Sequence, residues 1–323
     1  MGAPRRRHGP LKAVVVDPDS PARLKLADGV EEPAPAPSEA VVEVRAISLN
    51  RGEVRRAEAA ERGHRPGWDL AGVVHRAAED GIGPPEGARV VGLLPAGAWA
   101  ERVAVPTDAM AELAQGVSFE AAATLPVAGL TALYALEEGG NLLGRTVLVT
   151  GASGGAGDFG IRLARLAGAR VVGLVRREEH VELVRGTGAH EVVVSASGAD
   201  VGAHGPYHVI LDSVGGEVLG NVLPALGPRG TCVTFGVSVG VEATIDVRSF
   251  YLTGGARLYG FFLFYEVGAR PAADGLARLA GLVAEGRLKP RIEVEASWEE
   301  VGEIAERLTE RGFTGKAVLR VEG

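Results

Sequence analysis

Residues 146–176 hold the residue types best suited to chemistry. Thr146-Val-Leu-Val-Thr150 leads into Gly151-Ala-Ser-Gly-Gly-Ala-Gly157, and a helical pattern then runs to Gly168-Ala169-Arg170. A second apolar run, Val171-Val-Gly-Leu-Val175, ends on the basic pair Arg176 and Arg177. Strand, glycine turn, helix and strand in this order form a βαβ unit able to hold a dinucleotide. Gly151 and Gly154 suit a tight turn with positive φ. Gly155 and Gly157 let backbone N–H groups approach a diphosphate, and the helix N-terminus adds partial positive charge. The spacing Gly155, Gly157, Gly160 is weak evidence alone, because the chain has 47 glycines. The flanking strand and helix strengthen it, as does a specificity position 19 residues after Gly157. An acid there would accept from a ribose 2′-hydroxyl. Arg176 instead suits a 2′-phosphate, with Arg177 as the reserve contact, and so points to NADPH. With 30 arginines against four lysines, any phosphate grip is a guanidinium one.

The elements that must position these residues fall into two groups. Residues 11–120 are β-rich: 11–16, 41–47, 69–75, 89–94 and 98–105 read as short strands separated by Gly/Pro clusters, which suggests a compact barrel-like domain. Residues 118–138 switch to helical spacing. The cofactor domain continues through strands near 191–194, 208–212 and 230–235, with Asp212-Ser-Val-Gly-Gly216 as a further glycine turn at a strand end, where ligands of open α/β sheets bind. Residues 256–264 are expected as another strand, 274–286 as a helix, and 316–321 as a closing strand. Ser297-Trp-Glu-Glu300 has the form of a capping box opening a helix to residue 311.

At 323 residues and 33.4 kDa, two domains with sizeable cores are expected. A net charge of −7 argues against nucleic acid or an anionic membrane as partner. The single cysteine, Cys232, excludes an internal disulfide framework and any multi-cysteine zinc site. No apolar run approaches the roughly 20 residues needed to span a bilayer. Residues 1–8, with three arginines, lack an apolar stretch of secretory length and are expected as a flexible tail of a cytoplasmic protein.

Several stretches in order resemble the medium-chain dehydrogenase/reductase superfamily, in particular its zinc-free quinone oxidoreductase branch. They are Ser48-Leu-Asn-Arg-Gly-Glu53, Pro66-Gly-Trp-Asp-Leu-Ala-Gly-Val-Val74, Gly97-Ala-Trp-Ala-Glu101, Leu125-Pro-Val-Ala-Gly-Leu-Thr131, Gly151–Gly157, Asp212–Gly216, Phe235-Gly236 and Gly315-Lys316. The resemblance implies a GroES-like β-barrel catalytic domain from residues 1–122 and 257–323. Around 123–256 it implies a Rossmann domain, a doubly wound parallel sheet. The active-site cleft would lie between them, often in a homodimer, and the expected strand 256–264 is the candidate dimer strand. It further implies that Thr131 holds the nicotinamide carboxamide and that Ser153, Gly154, Gly155, Ala156 and Gly157 cradle the diphosphate. Ser195, Val214, Phe235, Gly236, Phe261, Phe262, Leu263 and Lys316 complete the cofactor contacts. Asn50 would lie at the substrate carbonyl. Arg55 stands where some relatives have a tyrosine, and with Asn50 it is the candidate hydrogen-bond donor to the substrate carbonyl. Asp158 departs from the pattern, and its carboxylate is expected to point away from the phosphates.

Other readings stay open or fail on particular residues. A zinc alcohol dehydrogenase needs soft or imidazole ligands, yet Asn50 stands near the first-ligand position and no cysteine supports His64 or His75. A short-chain dehydrogenase needs a Tyr-x-x-x-Lys pair, and none of the five tyrosines has one. A catalytically silent NADP-binding protein on the same fold stays open, because fold does not fix function. The expected activity is NADPH-dependent reduction of a quinone, or of an enone, enal or enoyl compound, by hydride transfer without zinc.

Overall fold

The computed structural model describes residues 11–322, so the expected N-terminal tail lies outside the described residues. The chain forms two compact units: residues 11–126, Pro271–Ala284 and 292–322 make one, and Val127–Arg270 with Glu285–Arg291 make the other. The expected division at 122/123 and 256/257 therefore falls at 126/127 and 270/271 instead, with a short second return to the cofactor unit at 285–291.

In the first unit, the strand Glu39–Leu49 is the axis. It is buried along almost its whole length, and pairs antiparallel with Asp69–Arg76, Lys316–Arg320 and Arg102–Pro106. Ile292–Ser297, Arg89–Leu93 and Met110–Glu112 extend this GroES-like sheet, and Leu11–Val16 pairs with Leu24–Val30 in a separate ribbon. Val42, Ile47, Leu70, Val90, Trp99 and Leu319 fill the core between them. Ser297 caps the turn that opens the helix Val301–Thr309 and forms the expected box with Glu300.

The second unit is a six-stranded parallel sheet. From edge to edge it runs Glu191–Val194, Arg170–Val175, Thr146–Val149, Tyr207–Asp212, Leu226–Thr234 and Arg257–Gly260. Counted along the chain this is the 3-2-1-4-5-6 order of a Rossmann sheet, reversing between Thr146–Val149 and Tyr207–Asp212. Crossover helices include Gly155–Leu166, Val181–Thr187 and Gly216–Val222. The expected strand over 256–264 is shorter: it stops at Gly260, and the aromatic run continues as the helix Leu263–Ala269. The four paired residues match Thr231–Thr234 and no further, so the alternation of aromatic residues beyond them belongs to a helix start. No helix among the described residues is long and apolar enough to cross a membrane.

Candidate functional site

The helix Gly155–Leu166 begins where the first strand of the parallel sheet ends, beside the reversal in strand order. Its N-cap is Gly154, which has no side chain to bond the first-turn N–H groups. Helix geometry leaves those N–H groups without intrahelical partners, so the turn offers donors and a positive dipole end to an anion. Gly157 is required here, since a Cβ would lie 2.4 Å from the Gly151 carbonyl oxygen. Behind the turn, Asp212 is fully buried and ties three strands together. It accepts from Thr150 Oγ1 at 2.8 Å, Thr234 Oγ1 at 3.0 Å and the Gly215 N–H at 3.1 Å. Burial raises its pKa, and the hydroxyl and amide donors hold that rise in check.

Arg176 is exposed just beyond the strand Arg170–Val175. Arg177 is exposed as well, and donates to Glu179 Oε1 at 3.0 Å. Ser195 directly follows the neighbouring strand Glu191–Val194; its N–H reaches the Val175 carbonyl at 2.9 Å and its hydroxyl accepts from the Gly198 N–H at 3.1 Å. Val214 is buried and donates its N–H to Asp212 Oδ1 at 3.2 Å. Phe235 and Phe261 meet edge to face, with ring centroids 6.4 Å apart at 78°. At Gly236 a Cβ would lie 2.5 Å from the Ser213 carbonyl oxygen, so only glycine lets the chain pass so close. Phe262, 54% exposed, caps the helix Leu263–Ala269, whose first residue is buried.

Thr131 is 7% exposed in the helix Leu130–Glu137, which follows a π-helical turn over Leu125–Gly129. Thr124 and Thr253 turn their hydroxyls onto backbone carbonyls of their own helices. Thr131 makes no such bond among the described residues, which leaves its hydroxyl available as a donor.

Asn50 and Lys316 lie together in the first unit, and each has partners other than those expected. Asn50 caps the helix Arg51–Ala59 in a box with Glu53, a signal legible as Asn-x-x-Glu that the sequence reading passed over. Its amide nitrogen donates to Asp69 Oδ2 at 2.7 Å and Glu53 Oε1 at 3.1 Å, so neither N–H is left for a substrate carbonyl. Its amide oxygen accepts from Lys316 Nζ at 2.6 Å. The buried Lys316 ammonium also donates to the Leu49 carbonyl at 3.1 Å and Asp69 Oδ2 at 3.2 Å. These three acceptors match its donor capacity and place it in this polar cluster. Ser48 donates to Asp69 at 2.6 Å, and the Trp68 N–H to Glu53 at 2.8 Å. Burial, and then the nearby Asp69 carboxylate, push Glu53 well above the usual carboxylate range, with Lys316 opposing them. Arg55, on the same helix, is exposed.

Asp158, in the first turn of Gly155–Leu166, is buried. Its carboxylate accepts from Arg162 Nε at 2.8 Å and Thr187 Oγ1 at 3.1 Å, and so faces the body of its unit. Arg291, which sequence reasoning missed, donates to the Ser153 carbonyl at 2.7 Å.

A family model described as zinc-binding dehydrogenase matches residues 155–277. Quinone oxidoreductase-like protein 2 of Bos taurus is 29% identical over 267 residues, covering 80% of this chain and 76% of its own. The solved structure of mycobacterial Rv1454c complexed with NADPH superposes with a TM-score of 0.84 at 23% identity, covering 96% of this chain and all of that one. A solved 2-haloacrylate reductase gives the same TM-score at 25% identity, over 97% of this chain and all of that one. The donor set does not fit the zinc in the family model's description. The described residues hold no group of three or more His, Cys, Asp or Glu side chains placed for one ion. Cys232 is buried in the strand Leu226–Thr234 of the cofactor unit, and the Lys316 ammonium already occupies the acidic cluster of the other. The ordered motifs, the barrel-like unit and the Rossmann unit, taken with these likenesses, are consistent with the medium-chain dehydrogenase/reductase superfamily.

Proposed function

We propose that the chain is an NADPH-dependent oxidoreductase that reduces quinones or carbon–carbon double bonds conjugated to a carbonyl, by hydride transfer without zinc. The observation that carries this reading is the uncapped N-terminus of Gly155–Leu166 beside the strand-order reversal, with Arg176 exposed beyond the next strand. Bound NADPH supplies the hydride. The first-turn N–H groups hold the diphosphate, and Arg176 holds the 2′-phosphate with Ser195 at the adjoining strand end. Thr131 donates its hydroxyl to the carboxamide and so fixes the orientation of the ring. Phe235, Gly236, Val214 and Phe261 wall the ring site, with Phe262 and Leu263 continuing it. These residues work by positioning, because hydride transfer needs donor and acceptor carbons held within about 3–3.5 Å.

The choice of acceptor follows from the donors. An unactivated ketone needs a strong electrophile to stabilise the developing alkoxide. The tyrosine–lysine acid pair is absent from the sequence, and Asn50 spends both its N–H groups internally. Of the two donors expected from sequence, only Arg55 remains. A conjugated acceptor spreads the incoming charge and takes its final proton from solvent. The names of two similar proteins support this range, one quinone oxidoreductase-like and one a reductase of 2-haloacrylate, an alkene conjugated to a carboxyl group. Loss of reduced-nicotinamide absorbance with such acceptors tests the reading, and a chain that oxidises no NADPH with any of them is silent.

The chain also forms a homodimer in this reading. The strand Arg257–Gly260 lies at a sheet edge, and Leu258, Phe262 and Tyr265 are exposed beside it, the last at 74%. An apolar edge of this kind invites pairing with a second copy. A monomeric mass by light scattering at micromolar concentration would count against it. The single buried thiol accords with a reducing compartment such as the cytoplasm.

A further inference from the structure

The seven residues Glu285–Arg291 belong to the cofactor unit, although the chain on either side of them belongs to the other. Their last member, Arg291, has a side chain only 15% exposed. Its Nη2 donates to the Ser153 carbonyl at 2.7 Å, and its Nε lies 3.5 Å from Asp158 Oδ1. One guanidinium thus touches the glycine turn and the carboxylate in the first turn of the helix that follows. Arg162 grips the same carboxylate at 2.8 and 3.2 Å.

Asp158 presents a problem that these contacts solve. A carboxylate in the first helical turn is favoured by the helix dipole, but it competes with any diphosphate for the same positive end. At this depth its charge is poorly screened by solvent. Two guanidinium groups neutralise it: Arg162 by direct hydrogen bonds, and Arg291 as a charge 3.5 Å away while its Nη2 holds the Ser153 carbonyl.

We propose that Arg291 is a positioning residue for the cofactor diphosphate. It braces the turn through the Ser153 carbonyl and, with Arg162, screens the Asp158 charge from the phosphates. The inference rests on the NADPH reading above.

The test measures NADPH dissociation constants for the intact chain and four variants: Arg291→Met, Arg291→Lys, Asp158→Asn, and the double Arg291→Met/Asp158→Asn. Circular dichroism melting confirms that each is folded. Loss of one charge-assisted contact predicts a rise of about tenfold or more in the Kd of Arg291→Met, a smaller rise for Arg291→Lys, and kcat at saturating NADPH changed less than KM. Removing the Asp158 charge should rescue the loss, so the double variant should bind within about threefold of wild type. Such a rescue would not follow from a structural role alone. If Arg291→Met binds NADPH as wild type does, or the double variant binds no better than Arg291→Met, the proposal is overturned. A wild-type chain that binds neither nicotinamide dinucleotide overturns the cofactor reading as well, which separates the two failures.

Discussion

Replacing Lys316 with methionine separates a structural cation from a cofactor contact. The ammonium lies 3.2 Å from Asp69 Oδ2, donates to Asn50 Oδ1 at 2.6 Å and opposes the rise in the Glu53 pKa. At an effective dielectric of about 20, two unit charges at this distance attract by about 5 kcal/mol. Removing one partner of a buried pair costs about 3–5 kcal/mol, because the other charge is left stranded. Methionine keeps the apolar stem, so most of the loss should be electrostatic. The assay is urea unfolding followed by tryptophan fluorescence. All three tryptophans, Trp68, Trp99 and Trp298, lie in the unit that holds Lys316 and report on it directly. The expected result is a loss of about 3–5 kcal/mol with NADPH affinity unchanged while the chain is folded. The pH dependence has a definite sign. The Glu53 pKa is raised in the folded state, so its contribution is present at acid pH and lost as pH climbs through the raised value. Losing Lys316 removes one of the groups that oppose that rise, so the variant's deficit should shrink as pH falls. Unchanged stability together with weakened NADPH binding would refute the assignment of Lys316 to this cluster.

Three further outcomes follow. Arg176→Ala should weaken NADPH about ten- to a hundredfold and leave NADH nearly unaffected, as direct titration would show; equal losses would remove Arg176 from the 2′-phosphate. Thr131→Ala should lower kcat about tenfold, whereas Asn50→Ala should lower stability by about 1–3 kcal/mol through its orphaned partners and leave NADPH affinity intact. A larger effect of Asn50→Ala on turnover than on stability would restore it to the substrate. Cys232 should resist a thiol reagent until the chain unfolds, since burial and the nearby Asp212 raise its pKa well above that of a free thiol, and fast native labelling would contradict its placement.

Where chemistry was local in the sequence, it was legible. The strand–turn–helix–strand of residues 146–176 announced itself because glycine spacing, apolar runs and the terminal Arg176 lie within a few turns of chain. The capping box at Ser297 was readable for the same reason. The Asn50–Glu53 box was equally local but was overshadowed by the expectation of a substrate contact. What could not be read was contact between distant positions. Lys316 meets Asp69 across 247 residues and Arg291 meets Ser153 across 138, and no periodicity encodes either pairing. The aromatic run at 259–265 misled for another reason. Aromatic residues favour strands on average, yet here pairing with Thr231–Thr234 ended at Gly260 and tertiary context turned the rest into a helix.

The most direct measurement of the central claim is NADPH consumption by the purified, chelator-treated chain, with a panel of acceptors compared side by side. Small quinones and enones should support turnover, and NADPH should be preferred over NADH. Simple ketones should be very poor substrates, as should alcohols in the reverse direction. Efficient oxidation of ethanol-like alcohols, activity lost with a stoichiometric zinc ion, or no turnover of any conjugated acceptor would contradict it.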